Sequence, residues 1–499
     1  MRTKKAIANI ITSLLVQILN VIWGFIVPRL IISNYGSNVN GLISSITRFL
    51  AYITLLEAGF GPVIKSVLYK PLANKDKNEI EKILKASEKI FRKISYIFIV
   101  YIAVLCIILP LVVNNEFNSL FTISLIIIIA ISTFSEYYFG MTYSLFLQAE
   151  QKKYVASIIQ IGIYIVNIIL TVSLIHFKCS IQVVKLSSTL IFVLRPVLQN
   201  IYVKKKYNIH LKNADSSYQL KQKWDGLVQH IAYVIHKNID VILLTLCTNL
   251  KEISVYSVYL IIIEGVERIV QSFSGGVDAT FGNMIAKGEK ENLNKKFNLF
   301  EGLYLTVATI IFCSTLILIV PFVRIYTNAI TDANYIRPIF AYLIVISEFS
   351  YIVMLLYYDL VKVAGHFKQT KKGAYIEATL NLLISLALVW KYGLIGVAIG
   401  TLVATIVRML EIIYYTSKNI LSRNVWYSFK RIIGIIFEFL IVIFFVRLIN
   451  LPQVDSYGKW MIQAIIVTFI SSVVVVLFNR LVYKDSIKNI IKIIKRKNA

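Results

Sequence analysis

The chain has 499 residues, 57% of them hydrophobic and only 16% charged, with a mean hydropathy of +0.72. Soluble domains carry about 25% charged residues, so the composition excludes an ordinary soluble enzyme or binding module and makes lipid the main solvent. The same chain has a net charge of +27, and this excess has to be placed somewhere.

Apolar runs recur along the whole sequence. In chain order they predict about fourteen transmembrane helices: 9–32, 39–64, 94–113, 120–147, 155–177, 181–203, 225–248, 253–283, 299–322, 339–361, 374–390, 393–416, 432–449 and 459–482. Each approaches the roughly 20 mostly apolar residues needed to cross a hydrocarbon core of about 30 Å. The expected fold class is therefore an all-α polytopic membrane protein. The first run follows a basic start, is too long for a signal-peptide core and has no small-residue cleavage site, so it reads as a retained first span. The connection near 390–393 is very short. Segment 78–94 sets Ile80, Ile83, Leu84, Ile90, Phe91 and Ile94 on one helical face, with Lys82, Lys85, Lys89 and Lys93 on the other. That pattern predicts an amphipathic helix lying on the inner membrane surface. Cys106, Cys179, Cys247 and Cys313 have no CxxC spacing and read as small buried hydrophobes, with no metal site.

The basic residues test the span count. Loops after even-numbered spans are rich in them: Lys70, Lys75, Lys77 and Lys82 after the second, Lys152 and Lys153 after the fourth. Lys204, Lys205, Lys206, Lys212, Lys221 and Lys223 follow the sixth, Lys287, Lys290, Lys295 and Lys296 the eighth, and Lys368, Lys371 and Lys372 the tenth. The C-terminal tail adds Lys488, Lys492, Lys495, Arg496 and Lys497. Loops after odd-numbered spans carry few. Positive loops stay inside, so both termini are expected in the cytoplasm. The positive charge is spread over every inner loop, which argues against nucleic acid as a partner and for topology and anionic membrane lipids.

Two internal echoes share nearly one offset. LANKDKNEIEK (72–82) and IAKGEKENLNK (285–295) lie 213 residues apart, so that Lys77 meets Lys290 and Ile80 meets Leu293. Asn167 and Asn381 stand in similar apolar runs 214 residues apart. A period of six spans repeats the same membrane orientation, which predicts two parallel six-helix lobes with a substrate path between them. The expected organisation is an N-terminal lobe at 1–203, a cytoplasmic loop at 204–223, a C-terminal lobe at 224–416, and two further helices with a basic tail at 417–499.

VNGLISSITRFLAYITLLEAGFGPVIKSVLYKPLANKDK, YYFGMTYSLFLQAEQKKYVASIIQ, KNIDVILLTL with EISVYSVYL, and SFSGGVDATFGNMIAKGEKENL resemble segments of Wzx-type polysaccharide flippases. These belong to the multidrug/oligosaccharidyl-lipid/polysaccharide superfamily. The resemblance covers essentially the whole chain, and its loose motifs specify family better than substrate. It implies movement of undecaprenyl-pyrophosphate-linked oligosaccharides from the inner to the outer leaflet of a bacterial plasma membrane, for capsule, exopolysaccharide or cell-wall glycan assembly. It also implies a glycan polymerase and a chain-length regulator as partners.

Such cargo requires cations in a hydrated cavity, and arginine suits phosphate because its planar fork binds bidentately. Charge inside a membrane is costly and marks functional candidates. Arg48 in the second span is the foremost, because Glu57 lies nine residues on, across the helix, and cannot neutralise it. Arg268 follows Glu264 by four residues, the spacing of a helical ion pair. Lys237 and Asp240 sit at i,i+3 beside His236, as a self-neutralising pair or a phosphate or proton site. Arg29 follows Pro28, where snorkelling is the alternative. The related MurJ-type lipid II flippases line their cavity with helices 1, 2, 7 and 8, which favours Arg29, Arg48 and Arg268. Arg195, and Arg408 with Glu411, read as anchors or local pairs. The chain contains no GxxxxGK[ST], so no ATP site and no other cofactor is expected; Asp240, Glu264, Glu348 and Asp359 are the candidates for proton or sodium coupling. No catalytic residue is expected. A cation-coupled drug or small-solute exporter of the same superfamily is the alternative. A glycan polymerase is disfavoured by the short outer loops, the longest being 321–338.

Overall fold

A computed structural model describes residues 2–57, 60–211, 227–273, 277–449 and 451–483, all helix and connecting turns, with no strand among them. Lys212, Lys221, Lys223 and the basic tail beyond 483 lie outside the described residues. The chain divides into two compact units, 1–254 and 255–499.

The first unit runs through α1 (Arg2–Tyr35), α2 (Ser37–Leu50), a 3-10 turn (Ala51–Ile53), α3 (Thr54–Glu57), α4 (Phe60–Asn74) and α5 (Lys77–Val112). It continues through α6 (Ser119–Ser135), a π-helical turn (Glu136–Gly140), α7 (Met141–Ala149), α8 (Lys153–His176), α9 (Ile181–Tyr207), α10 (Leu227–Cys247) and the start of α11 (Leu250–Ser272). The second unit holds the rest of α11, then α12 (Val277–Ala286), α13 (Lys290–Tyr326), α14 (Pro338–Val363), α15 (Lys371–Tyr392), α16 (Leu394–Asn419), α17 (Val425–Leu448) and α18 (Tyr457–Val482).

Among the described residues, 12 helical stretches are long and apolar enough to cross a membrane. The protein is a multi-pass membrane protein. Of the two remaining predicted spans, 432–449 falls in α17, of 24 residues, while 253–283 begins in α11, of 23 residues, and ends in α12; ionisable residues are spread along both α11 and α17. Outward-facing apolar side chains such as Ile10, Val100, Ile169 and Phe469 present hydrocarbon to lipid, while the helices satisfy their own backbone groups. Inside, Val27, Ile31, Val39, Ile43, Ile175 and Val184 join α1, α2, α8 and α9 in one cluster. In the second unit Cys313, Leu318, Val442, Val446, Val467 and Val475 join α13, α17 and α18. Of the four cysteines only Cys313 is buried; the others are half-buried, and none forms a disulfide.

Two sequence expectations need correction. The second span is not one helix: it breaks into α2, the 3-10 turn, α3 and α4. Segment 78–94 is not a separate surface helix either. It is the first half of α5, a continuous helix of 36 residues, about 54 Å long at 1.5 Å per residue. Its apolar face is covered by protein, with Ile83 and Leu84 fully buried and Phe91 nearly so. Amphipathicity shows that one face avoids water; it does not say whether lipid or protein covers it.

The internal repeat is visible in each unit's own geometry. The turn before α5 places Lys75 at φ 56°, and the turn before α13 places Gly288 at φ 70°, 213 residues later. Asn167 is buried in α8, donates to the Ser188 carbonyl of α9 at 3.0 Å and accepts from Thr171 at 3.0 Å. Asn381 is buried in α15 and accepts from Ser385 at 3.1 Å and from Thr401 of α16 at 3.5 Å. Each asparagine therefore staples its helix to the next from the equivalent position. The tight connection expected near 390–393 is a single residue, Gly393, between α15 and α16.

Candidate functional site

The polar seam of the first unit runs along α2, which reaches α10 and the start of α11 through small and hydroxyl side chains. Asn40 donates to Ser254 at 2.8 Å, and Ser45 shares a hydrogen bond with Thr245 at 2.8 Å. Between them Gly41 lies against the chain at Leu250, where an added Cβ would stand 1.9 Å from the carbonyl oxygen. Three turns from its start α2 presents Arg48, half-buried, whose Nη1 points at the Lys237 carbonyl of α10 at 3.4 Å. Sequence reasoning named these two cations separately, and the fold brings them together.

Around this pair α10 buries His236, Asn238 and Asp240. Asp240 is one turn beyond Lys237, as the i,i+3 spacing requires. Glu57 does not serve Arg48: it accepts from the Tyr137 hydroxyl at 2.6 Å, beside the π-helical turn. His230 of α10 approaches the Thr54 carbonyl at 3.2 Å, so the broken second span is tied to α10 at both ends. Arg29 sits half-buried on α1, one residue past Pro28.

The other candidates are dispersed, Arg195 in the first unit and the rest in the second. Arg268 and Glu264 pair along α11 at 3.6 Å. Asp359 pairs with Lys362 on α14 at 2.5 Å, and Glu348 is buried in the same helix. Arg195 is an inter-helix anchor, 2.9 Å from Glu136 at the π-helical turn. Arg408 does pair with Glu411, and also lies 3.5 Å from Glu377 of α15 and donates to the Thr370 carbonyl at 3.0 Å.

Sequence reasoning missed a second buried network of three charged groups. Glu301 of α13 is fully buried and lies 2.7 Å from Arg423 and 3.6 Å from Arg431. The Tyr357 hydroxyl of α14 donates to the same carboxylate, and Arg423 also donates to Ser428 at 2.7 Å. Glu438 of α17 and Lys185 of α9 were passed over as well. The signal was available, since both fall inside predicted spans; the rule that singled out Arg48 applies to them equally.

No family model and no curated protein sequence matches the chain, and the likenesses found are of fold. Among solved structures it resembles the lipid II flippase MurJ in an inward closed conformation, with a TM-score of 0.67, 16% identity, 96% of this chain and 100% of that one covered. It also resembles the eukaryotic MATE transporter AtDTX14, with a TM-score of 0.57, 13% identity, and 82% and 94% coverage. A multidrug resistance MATE family transporter of the MOP superfamily, in an inward-facing conformation, matches with a TM-score of 0.56, 14% identity, and 81% and 94% coverage. The chain has the fold shared by MurJ and the MATE transporters. The MurJ structure is matched over its full length and takes in more of this chain, 96%, than the two MATE structures do at 82% and 81%.

Proposed function

We propose that the protein is a flippase that carries polyprenyl-pyrophosphate-linked oligosaccharides from the inner to the outer leaflet of a bacterial plasma membrane. The observation that carries this reading is Arg48: a half-buried guanidinium in a broken membrane helix, set against α10 at Lys237. A guanidinium offers five donors in a fixed fork, suited to pyrophosphate oxygens. Helix breaks are tolerated at membrane depth where backbone is covered by protein or lines a watery path. Arg29, Lys237 and Arg268 are proposed to share the anionic cargo. The likeness in fold to the lipid II flippase MurJ supports a lipid-linked substrate. Both termini are placed in the cytoplasm, the two six-helix lobes are taken to alternate their access, and no enzymatic step is assigned. A glycan polymerase and a chain-length regulator are the expected partners. Coupling to protons or sodium is assigned to one of Asp240, Glu264, Glu348 and Asp359.

The MATE likeness favours a second reading, a cation-coupled exporter of drugs or small solutes. The two separate in proteoliposomes. A flippase moves a fluorescent polyprenyl-pyrophosphate oligosaccharide between leaflets, and Arg48→Ala reduces that movement at least tenfold at equal protein level. Movement of a cationic dye with none of the lipid-linked glycan would decide for the exporter.

A further inference from the structure

Glu438 is a buried acid that the proposed function leaves unused. It lies in α17, is 1% exposed, and its Oε1 accepts from Asn479 Nδ2 of α18 at 2.7 Å. Its Oε2 is buried and has no hydrogen-bond partner. The carboxyl lines a small cavity bounded by Gly302 and Thr306 of α13, Arg431 of α17, Asn479, and Tyr483 just past the end of α18. The cavity has room for about one water molecule.

The surroundings decide what can occupy it. Among the described residues, the ionisable groups that interact with Glu438 are Arg431 on its own helix, Cys313 of α13 and Tyr483. Arg431 lines the same cavity and attracts Glu438, but its charge is shared: it donates to the Tyr427 hydroxyl at 3.1 Å and lies 3.6 Å from the Glu301 carboxylate. An ionised Glu438 would keep one neutral donor, a share of an arginine that also serves Glu301, and a buried oxygen without a hydrogen bond, an unfavourable arrangement. A hard cation is no better, because it takes about six oxygen ligands. The side-chain oxygens that line the cavity are those of Glu438, Asn479, Thr306 and Tyr483, and the Tyr483 hydroxyl is already engaged with the Lys430 carbonyl at 3.1 Å, so the set falls short of such a shell. A proton needs just one acceptor beyond the acid, and a single bridging water supplies it.

We propose that Glu438 is a proton site, its Oε2 carrying a proton donated to one water that Asn479 and Thr306 hold between α13, α17 and α18. Asn479 stands one turn before the end of α18, so the proton has a short route to bulk water past Tyr483 and exchanges with it. The acid and Asn479 come from α17 and α18, the helices outside the six-span repeat, and Thr306 from α13 within it; the site stands whatever cargo the protein carries.

Infrared difference spectra of the full-length protein in lipid, between acidic and basic buffers, test the assignment. A protonated-carboxyl stretching band is expected to bleach as pH rises and to be missing in Glu438→Gln, which is isosteric with the neutral acid. A band unchanged by the substitution, or one that persists at every pH, overturns the proposal. Labelling of the unmodified protein by a hydrophobic carbodiimide gives a second reading, independent of whether the variant folds. The adduct is expected on Glu438 and diminishes as pH rises. No adduct at any pH, with Glu438 reactive once the chain is unfolded, also overturns it.

Discussion

Glu301 has no access to solvent, yet it is held by two arginines and a tyrosine. Removing one member of such a buried set costs more than the set contributes, because its partners stay behind as uncompensated charge. Glu301→Gln is therefore expected to destabilise the protein by about 3–5 kcal/mol, read as a lowered apparent Tm in detergent. Replacing Glu301, Arg423 and Arg431 together by apolar residues of similar volume should cost less than the single change. Gly41 is a second position with no slack. An alanine Cβ there would overlap the Leu250 carbonyl, a backbone atom that cannot rotate away. Gly41→Ala should cost about 1–3 kcal/mol through overpacking, and thermal unfolding of the purified variant checks it. A Tm equal to that of the parent protein would mean that α2 and the start of α11 do not touch as described.

Among elements, the repeated joint is the most informative. Both long helices, α5 and α13, start after one residue in the left-handed region, Lys75 in one unit and Gly288 in the other. That conformation costs an ordinary L-residue roughly 1–2 kcal/mol and a glycine nothing comparable. Gly288→Ala, with open space around its Cβ, should lose about 1 kcal/mol from backbone strain alone, whereas Lys75→Gly should lose none. Measured stabilities of the two variants, side by side, test whether the joints are equivalent. These joints were legible in the sequence because charge and apolar spacing repeat at a fixed offset. The Asn167 and Asn381 staples were legible for the same reason. Three features were hidden. The break in the second span turns on 3-10 geometry over Ala51–Ile53, residues that read as plain apolar helix. The π-helical turn at Glu136 is fixed by packing with α9, where Arg195 meets it. The Glu301 network joins residues 122 positions apart, and no local pattern announces such a partner.

For the molecule as a whole, the charge of the loops makes a claim about sidedness that helix positions alone do not. The described basic loops at 74–77, 204–208 and 364–370 fall on one side if every intervening pair of helices crosses the membrane. The connections at 113–118 and 451–456 then fall on the other. Positive loops are retained on the cytoplasmic side, which assigns the first group to the inside. Lys77, Lys206 and Lys371 are exposed, as are Asn115 and Ser456, so reagent access at these positions reports the compartment rather than burial. In a background with Cys106, Cys179, Cys247 and Cys313 replaced, single cysteines at Lys77, Lys206 and Lys371 should resist a membrane-impermeant thiol reagent in intact cells. They should react fully once the membrane is opened. Cysteines at Asn115 and Ser456 should react in both conditions. The Ser456 result carries the most weight, because it follows α17, whose charge keeps it from qualifying by composition alone. A protected Ser456 beside a reactive Asn115 would mean that the parity changes between them, and α17, with Arg431 and Glu438 on it, would be the first helix to remove from the membrane.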